Sequence, residues 1–559
     1  MPMMVTRLFN FMCSYPQSLG LISYLRPDLF ILITTCQRIF TRCLSCDDRS
    51  IVIWNLDNAV SITGIMETIR FVDTTIRDGH QSLWAENMTT GMMLPIAKNL
   101  DNAGFEGIEL IAGSHLKKTV RELKEDPWER VRLMAREITK TPLRVISGPV
   151  NSFEYNPPSM FRLFLERMAV YGVREARTSD EWNDYESWKF RVGVAHSLGL
   201  RVILNLIYSV SPKHSDEYYA ERTRRAASLK PYRLCLKDPG GLLTPERMQS
   251  LVPVIFKNAG GIPVELHTHC TTGLGPLCCL EAIKLGIRSI NAALPPLADD
   301  SSNPSLFNVA KNARALGYET AIDEPVLKPV TRHFTAIAKR EGFTIGAPVE
   351  YDYAQYQHQV PGGMLSNLRH QLRKVGLEHK FPEALEESIR VRQEFGYPIM
   401  VTPLSQYVGS QAAINVIVGE RYKEVTDQVI KFALGHAGAE GARDMDPNVK
   451  DKILDRPRAK EWAKWQPDDP SADEMRRRLN AEGTSDEELL LRWIVGKEDI
   501  DSMRANPRPP EYLNAEQPLV KLLQQLTKKT ECSQIHLRRP GFSLTLRKRG
   551  DTGAALSRP

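Results

Sequence analysis

Between Met66 and about residue 325 the chain repeats one unit, a short β-branched apolar run followed by an amphipathic stretch of helical period. Strands that read as continuous apolar runs are buried on both faces, so the pattern demands a parallel sheet screened by helices. Eight such runs predict strands at Arg70–Thr74, Gly107–Leu110, Leu143–Gly148, Glu175–Ser179, Arg201–Tyr208, Arg233–Asp238, Val264–His269 and Ser289–Leu294. Eight βα units over roughly 260 residues fit an α/β fold of the closed (β/α)8 TIM barrel type, spanning 66–325, whose chemistry sits on the loops after the strands. A doubly wound open sheet is the competing arrangement. It is disfavoured because no glycine-rich phosphate loop follows the first strand.

At 559 residues the chain exceeds what one hydrophobic core usually serves. Residues 326–505 read as a mainly helical domain packed on the barrel, interrupted at Val360-Pro-Gly-Gly-Met364 and Met400-Val-Thr-Pro-Leu404. From Asp444 to Asn514 the chain is dense in charge, and one good helix, Ser485–Val495, stands between the breakers at Pro467–Pro470 and Asn506–Pro510. The second breaker marks a linker, 506–515. Beyond it, helical period at Pro518–Thr527 and alternating strands at Ser533–Arg538 and Phe542–Arg547 around Arg539-Pro-Gly541 predict a small α+β tail, 516–550.

The first 65 residues lack periodicity and caps and read as a leader behind a misassigned start. A signal peptide competes, since Arg7 precedes an apolar stretch, but no small-residue cleavage site follows. Four of the nine cysteines lie there; Cys43 and Cys46 have zinc-knuckle spacing without a second pair, so free thiols are expected. Lys and Arg number 73 against 67 Asp and Glu, too dilute a surplus to form a nucleic-acid stripe. No run approaches the roughly eighteen apolar residues of a membrane span. A cytoplasmic protein without nucleic-acid or membrane partners is expected.

The first strand ends in Asp73-Thr-Thr-Ile-Arg77-Asp78-Gly-His-Gln81, which brings acids, a base and an amide to the barrel mouth. The seventh ends in His267-Thr-His269. Residues i and i+2 of a strand share a face, so both imidazoles turn to the barrel axis, with Asp78 as the natural third ligand of a divalent metal. Arg77 and Gln81 then belong to the metal's surroundings or orient substrate. The sixth strand ends in Lys237-Asp238, and a lysine at such a mouth is costly unless its pKa falls or it is modified; pairing with Asp238 is the structural alternative.

Taken together, residues 66–505 resemble the biotin-dependent carboxyltransferases: the carboxyltransferase domain of pyruvate carboxylase, the oxaloacetate decarboxylase alpha subunit and transcarboxylase, within the homocitrate synthase and HMG-CoA lyase superfamily. The family's Asp-Thr-Thr-x-Arg-Asp-x-His-Gln-Ser motif is matched from Asp73 to Ser82 and its His-x-His pair by His267 and His269. The resemblance implies metal ligation by Asp78, His267, His269 and a carbamylated Lys237, around Zn, Mn or Co. It also implies that Thr402, in Val401-Thr402-Pro403, shuttles a proton between acceptor and biotin; Pro361-Gly-Gly-Met364 is a further biotin-linked match.

Departures from the family pattern lie in the acceptor pocket. The pyruvate-binding arginine corresponds to Gly148, although Tyr155 on the same loop still matches. Trp-Gly-Gly-Ala-Thr-Phe-Asp becomes Ile111-Ala-Gly-Ser-His-Leu-Lys117, and in Thr-Pro-Ser-Ser-Lys the first Ser and the Lys become Leu404 and Gln406 while Ser405 remains. Arg177 matches a family arginine, so Arg177, Lys117, Tyr155 and Ser405 are the expected substrate-binding groups. The predicted acceptor is small, enolisable and not pyruvate, because a guanidinium that forks a 2-oxo carboxylate is missing.

The chain holds no Met-Lys biotinylation pair and no room for an ATP-driven carboxylase. Biotin is therefore expected on a separate carrier protein, with a separate biotin carboxylase subunit, and the chain itself as a homo-oligomer. Pro518–Lys548 resembles the segment before the biotin domain of the acetyl-CoA carboxylase carrier and is expected to dock these partners. The alternatives are a biotin-independent aldolase or lyase of the same superfamily and a non-catalytic scaffold subunit.

Overall fold

The computed structural model describes residues 67–151, 154–360 and 376–505 throughout, and short stretches at 53–55, 58–60, 368–369, 372–373, 522–523, 525–526, 528, 531, 534–539 and 542–547. The chain divides into two units, 1–65 and 66–559. In the first, Ile53–Asn55 pairs antiparallel with Asn58–Val60; Cys43, Cys46 and the rest of the leader lie outside the described residues. In the second, eight parallel strands follow one another: β1 Thr68–Asp73, β2 Gly107–Ala112, β3 Leu143–Ser147, β4 Glu175–Thr178, β5 Arg201–Ile207, β6 Arg233–Asp238, β7 Val264–Thr268 and β8 Ser289–Ala292. Each pairs with the next, and β8 returns to β1 with Ser289 opposite Arg70, which closes the barrel. No helix among the described residues is long and apolar enough to cross a membrane.

Helices cover the cylinder because the loops supply their starts. Asp126, Asp184, Ser215 and Thr244 each accept a hydrogen bond from a backbone N–H of the first helical turn, ahead of Pro127–Glu137, Tyr185–Ser197, Asp216–Ser228 and Pro245–Asn258. Alternation then sorts each strand. Leu234 and Leu236 of β6, and Val264 and Leu266 of β7, join the apolar core. Their neighbours Cys235 and Lys237, Glu265 and His267 take the opposite face, toward the barrel interior. That interior departs from the usual filling of Val, Ile and Leu. Arg144 bonds Glu175 at 2.9 Å and Glu265 at 2.8 Å, and Asn291 bonds Glu265 at 3.3 Å, all buried.

A second core lies downstream, formed by Val391, Phe395, Leu404, Val408, Phe432, Ile453 and others from the helices Phe381–Glu394, Leu404–Val418, Asp427–Ala433 and Pro447–Leu454. Trp182, from the loop after β4, joins it and donates its indole N–H to Ala437 at 2.8 Å. Gly438, at φ 111°, passes so close that a Cβ there would meet the indole at 2.5 Å.

The structure differs from the sequence reading at both ends of this region. Glu324–Glu341 packs with the barrel through Leu327, Val330, Phe334 and Ile337, and so do Leu489, Leu490, Ile494 and Met503 of the last helices. Among the described residues, the charge-dense stretch carries five helices where one was expected: Pro447–Leu454, Pro457–Trp462, Ala472–Arg478, Asp486–Val495 and Lys497–Arg504. Two of them begin on a proline, which suits a first helical position that has no partner for an N–H. In the tail, Gln534–Arg539 and Phe542–Arg547 form the antiparallel hairpin; Pro361-Gly-Gly-Met364 and most of Pro518–Thr527 lie outside the described residues.

Candidate metal centre

Asp78, His267 and His269 converge at the mouth, each with a ligand atom within 4.8 Å of the others. The two Nε2 atoms stand 3.2 Å apart, and 3.2 and 3.6 Å from the two Asp78 oxygens. His269 Nδ1–H donates to the Ser301 carbonyl at 2.7 Å, which turns its Nε2 to the carboxylate, while His267 Nδ1 lies 3.1 Å from both Asn291 Oδ1 and the Arg177 Nη1 donor, with its Nε2 on the side of Asp78. Burial, reinforced by Arg177, pushes His267 down to about 3, so its imidazole is neutral. Burial would raise the Asp78 carboxyl, but Arg77 and His269 outweigh it and hold it well below the usual carboxylate range. Two imidazole nitrogens and a carboxylate crowded together suit a divalent cation, and N,N,O donors fit Zn, Mn or Co.

Lys237 stands in register with His267 across β6 and β7, so it enters the same layer, partly exposed to the mouth. Burial, with Arg177 and Arg77 beside it, pushes its amine down to about 8. Arg77 donates to Asp78 Oδ2 at 2.7 Å, to Gln81 Oε1 at 3.2 Å and, through Nε, to Glu109 Oε2 at 2.8 Å. Gln81 also meets His115 Nε2 at 3.1 Å.

The remaining expected residues disperse. Arg177, expected to touch substrate, is 0 % exposed and engages Glu109, Asn205 Oδ1 at 2.9 Å and Asn291 Oδ1 at 3.2 Å. Its guanidinium lies inside the barrel beside His267, with Nε and Nη1 engaged and Nη2 buried without a partner. Lys117 lies on the helix His115–Arg121, and the charges that act on it are Arg121, Glu154 and Asp499, none of them at the metal centre. Ser405 is buried with its hydroxyl unpartnered. Thr402 is exposed in the turn before the helix Leu404–Val418. Its neighbour Pro403 borders a cavity of about 710 Å³ together with Tyr155, Glu181, Trp182, Tyr407 and Trp465.

Sequence reasoning missed Glu109, which takes hydrogen bonds from Arg77 and Arg177 at 0 % exposure and so ties the ligand layer together. It missed Asn291 and Asn205 as well. The signal was present: each is a polar residue inside a strand with apolar neighbours on both sides, and such groups are buried only when partnered. Glu181 was also missed; burial, against the pull of Arg191, pushes its carboxyl up to about 7 at the cavity wall.

Residues 356–531 match a family described as a conserved carboxylase domain. A pyruvate carboxylase subunit of Methanocaldococcus jannaschii is 34% identical over 391 residues, 69% of this chain and 68% of the relative. The methylmalonyl-CoA carboxyltransferase 5S subunit of Propionibacterium freudenreichii subsp. shermanii is 31% identical over 386 residues, 68% of this chain and 75% of the relative. The carboxyl transferase domain of Rhizobium etli pyruvate carboxylase, solved with pyruvate, shares the fold at a TM-score of 0.70 and 23% identity, over 82% of this chain and 83% of that one. With barrel, helical region and Asp-His-His cluster in place, the chain belongs to the biotin-dependent carboxyltransferase family that includes these pyruvate carboxylase and transcarboxylase 5S subunits.

Proposed function

We propose that this chain is the carboxyltransferase subunit of a multi-subunit carboxylase, receiving carboxybiotin from a carrier on another polypeptide and passing its carboxyl group to an enolisable acceptor other than pyruvate. The convergence of Asp78, His267 and His269 carries this reading. These three would hold the ion, which when bound polarises the acceptor oxygen and stabilises enolate charge. Lys237 would add an oxygen ligand as a carbamate: the amine lone pair bonds CO2 and one proton leaves to solvent. An amine brought down to about 8 has a sizeable neutral fraction for that step.

Thr402 would carry the proton: its hydroxyl takes the proton leaving the acceptor carbon and gives its own to the biotin nitrogen that has lost the carboxyl group, and its neighbour Pro403 at the cavity wall supports this reading. Gln81 and Arg77 orient the acceptor oxygen. Gly148 argues against pyruvate, since this position offers no guanidinium, and a Cβ built there meets nothing within 4 Å. Both relatives are named as subunits of larger enzymes, which supports separate partners, and the tail from 516 supplies a docking module for carrier and carboxylase.

Metal analysis tests the reading. The purified chain should hold one divalent ion, His267→Ala should lose it, and ¹³C-bicarbonate should label Lys237 as a carbamate. An apo protein with unmodified Lys237 at ample bicarbonate would instead fit a non-catalytic scaffold.

A further inference from the structure

Gln81 is held from two sides. Arg77 Nη1 donates to its Oε1 at 3.2 Å, and His115 Nε2 lies 3.1 Å from the same oxygen. A guanidinium can only donate, so the Gln81 atom facing it is the amide oxygen. The His115 nitrogen facing that oxygen must then carry its proton, which makes Nδ1 the bare ring nitrogen. Consistently, His115 Nδ1 is buried without a partner. The ring cannot turn away: it is 1% exposed and packed edge-on against His80, with centroids 5.3 Å apart. Glu86 Oε1, at 3.8 Å from the same Nε2, is too distant to draw the proton from Gln81.

With Oε1 taken twice, the NH2 of Gln81 is the face left for a ligand. Gln81 is partly exposed and follows Asp78 by one helical turn, and Ser82 beside it bonds Asp78 Oδ1 at 3.0 Å. We propose that His115 is a positioning residue that, with Arg77, fixes the Gln81 amide so that its NH2 donates to an oxygen of whatever ligand sits at the metal centre. The position is one where the chain departs from the family motif, so this clamp belongs to the chain's own pocket. A ligand recognised this way offers a carbonyl or carboxylate oxygen at that point, not a donor group.

The inference rests on the metal reading above, and the experiment separates the two. Oxalate, whose oxygens chelate a divalent ion, is titrated calorimetrically into the full-length chain loaded with Mn²⁺. Losing one hydrogen bond should weaken oxalate about fivefold to tenfold in His115→Phe, which keeps the ring shape but donates nothing. His115→Gln, which places an N–H near the old Nε2, should stay within about twofold of the wild type. Gln81→Ala should match His115→Phe, with no further loss in the double variant. Histidine labelled with ¹⁵N should show His115 as the Nε2–H tautomer.

Tight oxalate binding in His115→Phe, additive losses, or the Nδ1–H tautomer would each overturn the clamp while leaving the metal reading intact. Wild-type protein that takes up no Mn²⁺ or binds no oxalate would remove both. If His115→Phe does not fold, equal weakening in His115→Gln and Gln81→Ala would count against the donor role, and an intact His115→Gln beside a weakened Gln81→Ala would support it.

Discussion

Glu109→Gln is the substitution that separates the barrel's charge network from its shape. The amide is nearly isosteric, so no cavity forms and the expected effect is electrostatic. Glu109 takes hydrogen bonds from Arg77 and Arg177, and these cations hold its carboxyl well below the usual range against the burial that would raise it. After substitution Arg77 keeps Asp78, but Arg177 keeps only neutral hydrogen-bond partners, Asn205 and Asn291, with Glu265 as the remaining carboxylate that acts on it without a hydrogen bond. A buried cation that loses its paired counter-charge costs about 3–5 kcal/mol, and the retained amide oxygen and Glu265 argue for the lower end. Arg177 and Arg77 also flank His267 and Asp78, so metal affinity should fall about 10- to 100-fold. Urea unfolding followed by the fluorescence of the buried Trp84, Trp128 and Trp188 reads the first effect, and metal titration the second. Stability within about 0.5 kcal/mol of the wild type, with unchanged metal affinity, would refute the claim that Glu109 ties the layer together.

Asp73, buried with one oxygen unpartnered, is pushed up to about 7 by burial, against the pull of Thr75. A carboxyl raised above its unfolded value of 3.8 contributes stability below that value and loses it as pH rises through about 7. Asp73→Asn should therefore gain on the wild type between pH 5 and pH 8 in urea unfolding, and a pH-independent difference would contradict this. At Gly148, where a Cβ has open space, Gly148→Arg should raise kcat/KM for pyruvate about tenfold or more by supplying a carboxylate partner; unchanged kinetics would show the pocket to be set elsewhere. Deleting 511–559 removes no metal ligand and not Thr402, so metal content should persist while co-purification with carrier or carboxylase is lost; undiminished assembly would reduce the tail to an appendage.

The barrel was legible because buried parallel strands leave little choice of residue. Arg233–Asp238 falls as expected, and β5 and β7 each end one residue early. His267, His269 and Asp78 were legible for a related reason, since strand alternation and a single loop fix where they point. What escaped was anything needing a partner from far along the chain. Glu109 and Arg177 are 68 residues apart, and nothing local announces that each neutralises the other. Arg177, expected at the substrate because it matches a family arginine, lies fully buried beside His267. The short helices Pro447–Leu454 and Pro457–Trp462 were overlooked because six to eight residues show too few turns for a period, and their prolines resemble breakers where they are first-turn residues.

Transfer of label from a carboxylated biotin carrier is the most direct test of the account. Carrier bearing ¹⁴C-carboxybiotin, mixed with the metal-loaded chain and a panel of enolisable oxo acids and acyl thioesters, should lose its label to an acid-stable product for at least one acceptor. Thr402→Ala should abolish that transfer while keeping its metal, because only the proton step is removed. Label that leaves the carrier at the uncatalysed rate with every acceptor, or passes at full rate in Thr402→Ala, would contradict the account.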